Sequence, residues 1–266
     1  MINKKQFKNL LSGRSPKIAI ILGSGLSEIA NAIENPLIID YHHIEGFPKS
    51  TVKGHKSRMV IGNFSNKEVL CMQGRFHLYE GHHPGVIADV IRSLRYVGIE
   101  ELIITNAAGS LNPDIHPGEI MMIKDHINFS GQNSLIAFSD QEEFQRFVDM
   151  SNAYDKDLRA ELRDIASEMG VLLHEGVYLM VLGPNFDTAA EVKAFRIMGA
   201  DAVGMSTVPE VLAAVDCGIK VLAFSSITNF GTGMQEHPLT HDETLSVSSQ
   251  ASKNLTRLIQ AYLAKD

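Results

Sequence analysis

Short apolar runs, most ending in glycine or a small polar residue, alternate along this chain with segments of helical periodicity. That alternation constrains the fold more than any other feature. KIAIILG (17–23) reads as a buried strand closed by glycine, and RMVIGNF (58–64) with EVLCMQG (68–74) as a strand pair with Asn66 in the turn. Further strands are expected at ELIITN (101–106), EIMMIKD (119–125), GVYLMVLG (176–183), DAVGM (201–205) and KVLAFSSIT (220–228). Val86, Ile87, Val90, Ile91 and Leu94 recur at helical spacing after Pro84, which suits a first helical turn. Leu158, Leu162, Ile165 and Met169 mark a helix closed by Gly170, and a short helix from Pro209 to Cys217 stops at Gly218. Thr240 with Glu243 forms a capping box that opens a C-terminal helix. Residues 126–153 are the least periodic and read as a long loop. No repeat or Pro-rich linker interrupts the pattern, so one α/β domain over 1–266 is expected, with a central mixed β-sheet flanked by helices.

Composition narrows the partners. Lys and Arg number 24 against 31 Asp and Glu in 266 residues, a net charge of −7. That balance argues against nucleic acid and against an anionic membrane surface. The aliphatic run 18–22 is too short to span a bilayer. Residues 1–17 carry basic side chains but no apolar core, unlike a signal peptide, so a cytoplasmic location is expected. Cys71 and Cys217 are the two cysteines, and no CxxC is present, which argues against structural zinc and a disulfide framework.

Ligands of open α/β sheets bind beyond the carboxyl ends of strands, and those ends hold the interesting chemistry. In ILGSGLSEIA (21–30) a glycine turn leads into a helix, where backbone N–H groups and the Ser24 hydroxyl suit a phosphate, although a tight turn without a ligand explains it as well. It lacks the third glycine of the dinucleotide fingerprint, Glu28 standing there, and no P-loop lysine follows. In QGRFHLYEG (73–81), Arg75 and His77 alternate, so an extended chain points both to one face. A planar fork and a ring N–H suit phosphate oxygens, but a surface charge beside a turn histidine is an equal reading. NAAGSL (106–111) lets a backbone approach a ligand closely, its alanines and glycine exposing the N–H groups, with a compact turn without function as an equal reading. Ser206 and Thr207 before Pro209 add hydroxyls at a helix start, where ordinary helix caps are the stronger reading, and Asn229 in ITN (227–229) puts an amide at a strand end, where an Asx turn is the alternative. The pairs His42-His43 and His82-His83 have no HExxH or cysteine partner, and no GxSxG occurs. Neither a metal nor a cofactor is expected.

Read together, GSGL (23–26), GFP (46–48), QGRFHLYEG (73–81), TNAAGSLNP (105–113), DHINFSGQN (125–133), GPNFDTAAE (183–191), ADAVGMSTVPE (200–210) and ITN (227–229) resemble the purine nucleoside phosphorylase family, in its trimeric, 6-oxopurine type. The resemblance runs in order from about residue 17 to 260. It implies a nucleoside-phosphorylase-like fold and reversible phosphorolysis of purine ribonucleosides and deoxyribonucleosides to free base and pentose 1-phosphate. The enzyme would be a glycosyltransferase of purine salvage with inorganic phosphate as co-substrate. By residue matching, phosphate would be held by Ser24, His55, Arg75, His77, the Ala107 backbone and Ser206. Tyr79 and Met205 would line the ribose, and His241, with His237 as a rival, would reach the 5′-hydroxyl. Phe186, Asp187 and Asn229 would form the purine pocket. Phe147 would be lent by a neighbouring subunit of a homotrimer. Catalysis would rest on Asn229, Asp187 and His77.

The chain departs from the family where Asp187 replaces the usual glutamate, Asn185 a frequent serine and Ser27 a frequent glycine, and across 230–240. A xanthosine-preferring phosphorylase therefore stays open, as does the order among inosine, guanosine and xanthosine. Methylthioadenosine phosphorylases generally carry aspartate at the position of Asn229, and a non-catalytic binding protein would lack Arg75, His77 or Asn229.

Overall fold

The apolar runs become strands. In chain order these are β1 (Ile18–Leu22), β2 (Glu34–Asp40), β3 (Arg58–Phe64), β4 (Lys67–Gln73), β5 (Glu101–Ser110), β6 (Ile120–Asn128), β7 (Leu173–Met180), β8 (Ala202–Gly204) and β9 (Lys220–Phe230). The helices are α1 (Lys4–Leu10), α2 (Glu28–Asn31), α3 (Pro84–Tyr96), α4 (Lys156–Glu168), α5 (Ala189–Ile197), α6 (Val208–Asp216) and α7 (His241–Ala264). This computed structural model describes residues 1–23, 26, 28–49, 56–136, 147–234 and 241–265, with only the backbone of 28 and 241–250.

The strands form one mixed sheet in the order β2-β3-β4-β1-β5-β8-β7-β6-β9, and β9 pairs back onto β5. The half from β5 to β9 thereby closes into a ring of five strands, which removes an exposed edge. β1 lies between β4 and β5, parallel to both, which is why IAIIL is apolar at every position. Its side chains alternate between faces. Ala19 and Ile21 join the core under α1, α3 and α6, while Ile20 and Leu22 join the core under α2, α4 and α7. The single domain is therefore a helix–sheet–helix sandwich with a ring at one side.

The predicted helices form for the expected reasons. Pro84 opens α3, His83 accepts the Gly85 N–H, and Ile87, Val90, Ile91 and Leu94 face the core. Asp155 caps α4 by accepting from the N–H groups of Asp157 and Leu158. Two-residue hairpin pairing puts Asn66 in the β3–β4 turn. α7 begins at His241 as its capping signal predicts, although Thr240 itself lies outside the described residues.

Other expectations are corrected. NAAGSL is not a compact turn. It is the second half of β5, paired with β9 from Glu101–Lys220 to Ser110–Phe230. β1 pairs with β5 only as far as Ile104, so β5 runs on past it and turns from the main sheet into the ring. β6 likewise extends to Asn128, so the loop expected over 126–153 starts later. Residues 137–146 of that stretch lie outside the described residues. β2, α1 and α5 went unpredicted. β2 carries Pro36, which an edge strand tolerates, and α5 buries only Val192 and Phe195.

Candidate active site

The carboxyl ends of β1 and β4, the end of β8 and the middle of β5 meet around Thr105, Asn106 and Ala107. Register puts Gln73 beside Leu22 and Ala107 beside Ser226. Gly23 donates its N–H to Thr105 Oγ1 at 3.0 Å. A Cβ on Gly23 would stand 2.6 Å from the Thr105 carbonyl oxygen, so the turn needs glycine for closeness to β5. Ser24, which follows it, lies outside the described residues, as do His55 and His237.

Arg75 is not a surface charge: it is 2% exposed. Its Nε and Nη2 donate to Glu210 Oε1 at 3.0 and 2.8 Å, and Nη1 donates to the Thr105 carbonyl at 2.8 Å. His77 is buried too. Glu80 Oε1 accepts both the His77 backbone N–H, at 2.8 Å, and Nδ1, at 3.0 Å. An acceptor shared with a backbone N–H places the ring proton on Nδ1 and leaves Nε2 the accepting nitrogen. Burial pulls the His77 pKa below the usual value and outweighs the Glu80 hydrogen bond that raises it, so the ring is neutral at pH 7. Tyr79 stacks on it, with centroids 4.6 Å apart. Burial pushes the Tyr79 hydroxyl up to about 12, so it stays protonated.

Ser206 and Thr207 are not ordinary caps. Thr207 has φ +76° and makes no side-chain capping bond. Val208 N–H donates to the Ser206 carbonyl at 2.9 Å, closing a γ-turn around Thr207. A β-branched residue rarely enters that region, and neighbours hold it there. Asn106 Nδ2 donates to Thr207 Oγ1 at 2.8 Å, and Ser206 N–H donates to the Tyr178 hydroxyl at 3.3 Å. Ser206 Oγ lies 3.3 Å from Thr207 Oγ1, the same hydroxyl that Asn106 of β5 holds. A Cβ on Gly204 would overlap the Tyr178 hydroxyl at 2.4 Å, so that glycine too is required by proximity.

Asn229 lies near the end of β9, paired with Gly109 of β5. Thr228 Oγ1 donates to Asn229 Oδ1 at 2.7 Å, and Asn229 Nδ2 donates to the Phe230 carbonyl at 2.9 Å, which fixes which end of the amide donates. Gly109 lies opposite in the ladder, and a Cβ there would press to 3.1 Å from Nδ2. Met205 packs on Gly183. The loop from Gly183 carries Phe186, half-exposed, and Asp187, which precedes the Thr188 cap of α5. Burial first, and the Glu191 carboxylate second, push the Asp187 pKa up to about 6. Phe147 is 86% exposed in the single chain. His241 begins α7, and only its backbone is described.

The structure thus groups Arg75, His77, Tyr79, Ala107 and Ser206 about β5, with Met205 and Asn229 adjoining. Sequence reasoning missed Glu80, Glu210, Tyr178 and Thr228, the groups that orient them. Glu80 was legible as the third residue after His77, the spacing of a capping box. Among the described residues one trio of metal-ligating type occurs, Asp40, His42 and His43, with mutual ligand distances under 4.8 Å. It straddles the end of β2, and both histidines are exposed.

Comparison with known proteins places the chain in a family. The family model of the phosphorylase superfamily matches residues 17–264. Purine nucleoside phosphorylase 1 of Bacillus subtilis is 45% identical over 251 residues, spanning 94% of this chain and 93% of its own. The Bos taurus purine nucleoside phosphorylase is 43% identical over 256 residues, spanning 94% and 89%. The Schistosoma mansoni purine nucleoside phosphorylase crystallised with inosine superposes with a TM-score of 0.92 at 36% identity, covering 99% of this chain and 95% of that one. The chain belongs to the phosphorylase superfamily. Its activity within that family is that of a purine nucleoside phosphorylase, a pentosyltransferase. Among the described residues no helix is long and apolar enough to cross a membrane.

Proposed function

We propose that the enzyme catalyses reversible phosphorolysis of 6-oxopurine nucleosides (inosine, guanosine and xanthosine) in purine salvage, as a cytoplasmic homotrimer using phosphate and no metal or cofactor. The observation that carries this reading is the buried guanidinium of Arg75, bonded to Thr105 of β5, with the buried imidazole of His77 and with Ser206, whose neighbour Thr207 is held by Asn106 of β5. Arg75, Ser206 and the Ala107 backbone, together with Ser24 and His55, would hold the phosphate. His77 Nε2 would accept from its protonated oxygen. A phosphate oxygen then bonds to C1′ as the C1′–N9 bond breaks, and the electron pair leaves with the purine. No protein nucleophile is needed, since the work is positioning and charge stabilisation.

Tyr79, Met205 and His241 would hold the ribose, with Phe147 reaching in from a neighbouring subunit; its 86% exposure in one chain supports that role. Phe186 would cover the base. Asn229 has a second amide hydrogen beyond the one given to Phe230, and it would donate to N7, where charge gathers. Asp187 would accept from N1–H, which adenosine lacks. One observation favours xanthosine as a substrate. Asp187 is one methylene shorter than glutamate, so its carboxylate stands further from a partly ionised base and repels it less. The test is kcat/KM for inosine, guanosine, xanthosine and adenosine, with and without phosphate. Turnover of the first three that requires phosphate, with adenosine poor, supports the reading. Adenosine matching inosine would overturn the base assignment.

A further inference from the structure

Arg75 owes its orientation to a residue 135 positions away in sequence. Glu210 lies in the first turn of α6, one turn after Ser206, and its Oε1 accepts from both Nε and Nη2 of Arg75. The Thr105 carbonyl takes Nη1 from another side. A guanidinium presents its donors in one plane, so two partners on different sides fix that plane. The ion pair is fully enclosed, with side-chain exposures of 2% and 4%. Buried ion pairs of this kind are weak contributors to stability because both charges lose water. Glu210 Oε2 is also buried and has no hydrogen-bond partner among the described residues, a further cost that folding alone does not explain.

We propose that Glu210 is a positioning residue for the co-substrate. It sets the plane of the Arg75 guanidinium and ties it to the helix start that carries Ser206, so the two phosphate ligands keep a fixed separation. The inference rests on Arg75 being a phosphate ligand, and it adds that the ligand's competence depends on a carboxylate that never touches phosphate. Glu210 therefore acts only through Arg75.

The experiment measures KM for phosphate, KM for inosine and the melting temperature for wild type, Arg75→Ala, Glu210→Gln and the double variant. Glu210→Gln keeps size and removes the charge. It should raise the phosphate KM about tenfold or more, as a misplaced ligand does, and leave the inosine KM within about twofold. Added to Arg75→Ala, the same change should move the phosphate KM by less than about twofold, since nothing remains to orient. A lowered melting temperature with an unchanged phosphate KM would overturn the inference, as would an equal Glu210→Gln effect with and without Arg75. An Arg75→Ala enzyme with an unaltered phosphate KM would refute the phosphate site itself. If Glu210→Gln does not fold, Glu210→Asp keeps the charge, withdraws it by one methylene and carries the same expectations.

Discussion

Asp187 offers the sharpest perturbation of base recognition. Its side chain is half-buried, and burial and Glu191 together push its pKa up to about 6 from 3.8. The folded protein therefore keeps this proton across a pH range in which the unfolded chain has released it, so this group's contribution to stability falls as pH rises from 3.8 to about 6. Function runs the other way. Accepting N1–H from the base calls for the ionised carboxylate, so kcat/KM for inosine should fall as pH drops below about 6, the value for the free enzyme. Asp187→Ala should cost on the order of 10²-fold in kcat/KM for inosine and guanosine, about 2.7 kcal/mol, because a site built around a polar contact loses its partner. Asp187→Glu should restore the reach of the family's usual acid and shift preference from xanthosine towards inosine and guanosine. The assay is initial-rate phosphorolysis of each nucleoside from pH 5 to 8 on wild type and the variants. A profile flat through pH 6, or an Asp187→Ala enzyme as fast as wild type, would show that Asp187 does not read the base.

Turnover should persist in EDTA, and loss of activity restored by a divalent ion would contradict a metal-free mechanism. The enzyme should sediment as a trimer, with Phe147→Ala raising the nucleoside KM while the trimer persists; an active monomer would exclude the lent aromatic. Asn106→Ala removes the bond that holds the Thr207 γ-turn and should lower stability by about 1–3 kcal/mol, read from denaturant midpoints. An unchanged midpoint would show that the turn is held by other contacts.

What was legible in the sequence was local. The run 17–23 became β1 because a strand flanked on both sides must be apolar throughout, and the Pro84 periodicity became α3. Arg75 and His77 were readable as a pair from their alternate spacing. Long-range demands were not readable. NAAGSL looks like a turn by composition, but as the shared wall of sheet and ring it must be a strand, and its Gly109 makes room for Asn229 while Gly23 at the end of β1 makes room for Thr105 and Asn106. Ser206 and Thr207 look like caps because the residues that hold the γ-turn, Asn106 and Tyr178, lie 101 and 28 positions away. Glu210 resembles any acid in a helix's first turn until Arg75 is placed against it.

The most direct measurement of the central claim follows the fate of the sugar. Inosine incubated with the protein and phosphate should give hypoxanthine and ribose 1-phosphate in equal amounts, and hypoxanthine formation should cease when phosphate is left out. Base release that continues without phosphate, with free ribose as the product, would make the enzyme a hydrolase and contradict the assignment of Arg75, His77 and Ser206 to a phosphate nucleophile.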